Sequence, residues 1–93
     1  MSKSIRNNET KELFEAILKL ETVEECYDFF EDACTFNELS AIAQRYHIAK
    51  LLIAKKTYQE IAKETGASTA TISRVNRSLT YGNDGYDIVL NRL

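Results

Sequence analysis

Between Thr69 and Arg77 the chain carries a set of side chains that suits contact with duplex DNA. On a helix, Ala70, Ser73, Arg74 and Arg77 fall on one stripe, with Thr69 and Thr71 flanking it near the amino-terminal end. Hydroxyls of Ser and Thr can bond several base edges, a small side chain meets a thymine methyl, and an arginine fork favours guanine or phosphate. Ile72, Val75 and Leu79 occupy the opposite stripe and would turn inward. Tyr58, Gln59 and Lys63, on the preceding segment, would border the same surface. A protein partner could use the same face, and the net charge of −2 together with the lack of a long basic arm favours that alternative.

Catalytic chemistry lacks its parts. His47 is the single histidine, and nothing in the pattern supplies a nucleophile–base pair beside it. No glycine-rich phosphate loop occurs. Cys26 and Cys34 have neither a CxxC nor a zinc-ligand spacing, and they read as buried small apolar residues. We therefore expect no enzyme, no metal and no cofactor.

The elements that must hold the polar face follow from the run YQEIAKETGASTATISRVNR, residues 58–77. A helix-turn-helix joins two short helices through a tight turn and a few apolar contacts. Ile61 and Ala62 supply the first-helix contacts, and Ala62 is small enough for close approach. Gly66 takes the left-handed turn, Ser68 caps the second helix, and Ala67, Ile72 and Val75 complete the packing. The motif spans about residues 57–79.

Helical spacing dominates elsewhere, proline is absent, and breaks fall near Gly66, Gly82 and Gly85. Thr22–Glu25, Thr35–Glu38 and Thr57–Glu60 have the spacing of capping boxes. Helices are expected near 9–20, 23–34, 36–55, 58–65, 69–80 and 84–92. The third is apolar around most of its circumference, from Leu39 through Ile42, Tyr46 and Ile48 to Ile53, and so must be covered on nearly every side. A second copy of the chain is the economical cover, which implies a symmetric, interleaved homodimer. His47 would lie near its seam. Tyr81 and Tyr86 are expected to pack between the motif and the closing helix.

Charge is unevenly distributed. Residues 1–41 hold four basic and ten acidic side chains, while residues 42–81 hold seven basic and two acidic. A local basic segment counts for more than the total where phosphate is the partner. The polar start, Met1 to Glu9, lacks a signal-peptide core, and no apolar run is long enough to cross a bilayer. One cytoplasmic domain over residues 1–93 is expected.

The stretch GASTATISR, residues 66–74, closely resembles the turn and recognition helix of the Trp repressor superfamily. CTFNELSAIAQR, KTYQEI, TGASTATISRV and YGND resemble more specifically its TrpR-like YerC/YecD branch, and the likeness covers nearly the whole chain. The resemblance implies an all-α, six-helix, intertwined homodimer whose fourth and fifth helices read DNA. It also implies a place to look for a corepressor, because these repressors clasp tryptophan between two arginines and a following serine. Arg74 and Ser78 match the second arginine and the serine. Arg45 lies near the first, but the spacing is one residue short, about a quarter turn of helix. Val75 stands where the repressors have a small glycine. The expected protein thus binds DNA as a dimer without answering to tryptophan, and any other effector is unknown.

Overall fold

The computed structural model describes residues 4–93, so Met1 to Lys3 of the polar start lie outside the described residues. Six α-helices and no strands occur among those residues, as expected: α1 (Asn8–Ile17), α2 (Val23–Ala33), α3 (Phe36–Ile53), α4 (Tyr58–Thr65), α5 (Thr69–Tyr81) and α6 (Gly85–Leu90). They group into two compact units, one ending at Thr35 and one running from Phe36 to Leu93.

In the first unit, caps fix both helix starts. The Asn7 side chain accepts from the Thr10 amide at 2.8 Å, and the Thr22 hydroxyl accepts from the Glu25 amide at 3.0 Å. The Glu25 carboxylate reaches back to the amide of Glu21, one residue before the cap that a standard box would use. α1 stops at Ile17 rather than near residue 20, because the amides of Lys19 and Leu20 bond to Ala16 and Ile17 in the tighter three-residue pattern. No described residue of this unit is buried, and Leu13, Phe14, Leu18, Val23 and Tyr27 are exposed. Cys26 and Cys34, expected in a core, are only half-buried for the same reason.

The second unit holds the core. Ile48 and Ala49 of α3, Ile61 of α4, Ala67 of the turn, and Ile72 and Val75 of α5 form one buried cluster. Leu51, Leu52, Tyr58, Ala62, Leu79 and Tyr86 pack around it. α3 touches α4, α5 and α6, and is thus the central element of the unit. It ends at Ile53, short of the expected residue 55, in a Schellman arrangement. The Lys56 amide bonds to the Leu51 carbonyl and the Lys55 amide to that of Leu52, both at 3.0 Å, with Lys55 left-handed at φ 67°. α3 is not covered all round within the chain, since Ile42 and Ile53 are exposed. Tyr86 packs on the core as expected, whereas Tyr81 points outward with 82% of its surface exposed.

Candidate nucleic-acid interface

The Thr57–Glu60 box starts α4 in full. The Thr57 hydroxyl accepts from the Glu60 amide at 3.1 Å, and the Glu60 carboxylate accepts from the Thr57 amide and hydroxyl. α4 ends on Gly66, whose φ of 74° is left-handed and whose amide bonds back to the Ala62 carbonyl at 2.9 Å. Only glycine enters that region without steric cost. Gly82, by contrast, is not left-handed; it closes α5 where a β-carbon would collide with the Ser78 carbonyl. The left-handed position ahead of α6 is taken by Asp84.

Ser68 caps α5. Its hydroxyl accepts from the Thr71 amide at 3.2 Å and shares a second contact, at 3.1 Å, with the Thr71 hydroxyl. Ile72 and Val75 are buried and Leu79 is half-buried, which locks the rotation of α5 about its axis. The result is an outward stripe of Ala70, Ser73, Arg74 and Arg77, all exposed, with Thr69 exposed at its head. α5 carries both arginines and no acidic side chain, and the amino-terminal end of a helix bears partial positive charge. Thr71 is half-buried, its hydroxyl engaged with the cap.

On α4, Gln59 and Lys63 are exposed, while Tyr58 is half-buried against the core and offers only part of its surface. Lys56, Glu60, Lys63 and Glu64 line an open groove of mixed charge, within which Lys56 and Glu60 pair at 3.9 Å. His47, on α3, lies 3.9 Å from Glu64 with both side chains about half exposed, a pair worth at most about 1 kcal/mol. Among the described residues no cluster of His, Cys, Asp and Glu could hold a metal ion. No helix among them is long and apolar enough to cross a membrane.

Of the residues singled out as an echo of the repressors' ligand site, Arg45 and Arg74 are exposed and Ser78 is bonded within its own helix. The Ser78 hydroxyl donates to the Arg74 carbonyl within α5 at 3.3 Å, and Val75 is 1% exposed inside the core. One polar contact escaped the sequence reading. Gln44 of α3 donates its side-chain amide to the Thr65 carbonyl at the end of α4, at 3.3 Å. Nothing local marks it out, since Ser40, Arg45, His47 and Lys50 are also polar within the stretch from Leu39 to Ile53.

The family model described as "Trp repressor protein" matches residues 8–93. The Bacillus subtilis protein YerC is 53% identical over 89 residues, covering 96% of this chain and 86% of that protein. A Trp operon repressor homolog from Chlamydia caviae is 34% identical over 80 residues, covering 85% of this chain and 79% of its own length. The crystal structure of a TrpR-like protein from Eubacterium eligens superposes with a TM-score of 0.91 at 57% identity, covering 95% of this chain and 91% of that one.

Proposed function

The chain belongs to the Trp repressor family, a family of DNA-binding regulators rather than enzymes, and from that premise we propose that it reads a specific, two-fold symmetric DNA site as a homodimer. The observation that carries the reading is the rotation of α5. Its apolar side is locked into the core by Ile72 and Val75, and its opposite side presents Ala70, Ser73, Arg74 and Arg77 to solvent. Thr69 and the exposed part of Thr71 extend that face toward the helix start, and Gln59, Lys63 and the exposed part of Tyr58 flank it from α4. Lys63 would meet the phosphate backbone, the arginines guanine or phosphate, and the small polar residues base edges.

Pairing of two chains is supported by uncovered apolar surface. Phe14, Leu18, Val23, Phe36 and Ile42 are all at least half exposed in the single chain. Stretches of that kind commonly mark an interface. Two-fold pairing sets two α5 helices about one DNA turn apart, hence a palindromic site.

Regulation by tryptophan is not part of the reading. The position that resembles the repressors' glycine is filled by Val75, which the core already uses. Arg45 is one residue out of step, so the indole sandwich would lack one face. The acidic total, with a sequence pI of about 5.4, favours a second reading in which the same face docks a protein.

Selection from random duplex DNA at moderate salt separates the two. The expected result is a symmetric consensus with half-sites about 10 base pairs apart, centre to centre, and unchanged in affinity by added tryptophan. Recovery of no symmetric consensus contradicts the DNA reading, and tightening of binding by tryptophan contradicts the corepressor reading.

A further inference from the structure

We propose that Gln44 is a positioning residue: from α3 it caps the carboxyl-terminal end of α4 and so sets the angle at which α5 is offered to DNA. The inference rests on the reading of α5 as the DNA-contacting helix. The last carbonyls of any helix lack partners within it and must find them elsewhere. In α4 the Ala62 carbonyl is served by the Gly66 amide, and the final one, that of Thr65, takes the side-chain amide of Gln44 from 21 residues away.

Thr65 is itself the keystone of the turn. Its hydroxyl donates to the Ile61 carbonyl at 2.7 Å and accepts from the Ala67 amide at 3.1 Å, on either side of Gly66. Thr65 thus takes two separate bonds, one from Gln44 of the central helix on its carbonyl and one from Ala67 of the three-residue connection on its hydroxyl. Thr65 and Gln44 are both half-buried, so water competes only in part for these groups.

The apolar cluster sets which side of α5 faces inward, and the hydrogen bond adds a directional constraint at the connection. Contacts among Ile48, Ile61, Ile72 and Val75 hold the helices together, but hydrophobic contact is non-directional. A hydrogen bond has a distance and an angle to keep. A DNA reader needs its side chains held to within about half an ångström, so a directional tie between the scaffold and the turn serves discrimination more than stability.

The test uses the full chain, the duplex recovered by selection and a scrambled duplex of equal length. Variants are Gln44→Leu, which keeps the bulk without the donor, Thr65→Val, which removes the hydroxyl, and Thr65→Ser, which restores it. Readouts are the affinity ratio between the two duplexes, the urea midpoint, and hydrogen exchange at the Ala67 amide.

Gln44→Leu and Thr65→Val are each expected to lower the affinity ratio by about tenfold, the scale of one lost hydrogen bond. Affinity for scrambled DNA should stay within about twofold, since phosphate contacts need less exact placement. Exchange at Ala67 should speed up several-fold in both, and Thr65→Ser should keep the wild-type ratio. An unchanged ratio and unchanged exchange in Gln44→Leu would overturn the proposal. So would losses on both duplexes in step with a lowered urea midpoint, which is the mark of a merely structural role. If the wild type discriminates between no duplexes, the DNA reading itself fails, and the change in Ala67 exchange on Gln44→Leu then decides whether Gln44 steadies the turn.

Discussion

Replacing Ile72 by alanine is expected to lower the unfolding free energy by about 2–5 kcal/mol, the usual cost of removing a buried isoleucine side chain. Ile72 has no exposed surface and belongs with Ile48, Ile61 and Val75 to the core of the second unit. That core has six buried residues, few to share the loss. Total stabilities of about 5–15 kcal/mol make such a change a large fraction of the whole. In urea the midpoint should fall while the slope is held, since the folded and unfolded surfaces are otherwise alike. A loss below about 1 kcal/mol would mean that α5 is not seated on α3 and α4 as described. The same substitution should weaken DNA binding, both through the unfolded fraction and because Ile72 helps fix which side of α5 faces outward.

Replacing Arg74 by alanine is expected to do the reverse, sparing the fold and impairing recognition. Arg74 is exposed and its guanidinium holds nothing in the core, so the urea midpoint should scarcely move. A bidentate arginine–guanine contact is worth about 1–3 kcal/mol of discrimination, which is roughly 5- to 150-fold in affinity for the selected site. If Arg74 reads a base, the loss is confined to one position of each half-site and the preference there relaxes. If it meets phosphate, binding weakens on all sequences and the salt dependence becomes shallower by about one ion per chain. Normal affinity and normal salt dependence in the variant would remove Arg74 from the interface.

Much of the second unit was legible in the residues. The Thr57–Glu60 box, Gly66 and the Ser68 cap are local signals, each acting within four residues, and α4 begins and ends where they place it. The alternation of Ile72, Val75 and Leu79 with Ser73, Arg74 and Arg77 likewise gave the orientation of α5, because one face of a helix must be buried. The ends of α1 and α3 were not legible. Each closes through backbone bonds that any residue can make, and at Lys55 a left-handed cap is formed without the glycine that would have announced it.

Burial in the first unit also escaped the pattern. Cys26 and Cys34 have apolar neighbours at helical spacing, but α1 and α2 bury nothing by themselves, and periodicity does not say what covers a stripe. The tie from Gln44 to Thr65 could not be read for a related reason. It joins residues 21 apart, and only the packing of α3 on α4 brings them together. Local rules therefore described the reading head well, and described poorly what positions it.

In the proposed paired reader, each chain presents α5 to one half of a symmetric site. The most direct measurement compares the affinity of the wild-type protein for the selected duplex with that for the same duplex carrying one scrambled half-site, at 0.15 M salt. A loss of at least about a hundredfold is expected, toward the affinity for unrelated DNA, because one of the two sets of base contacts is gone. Equal affinity for the two duplexes would contradict it.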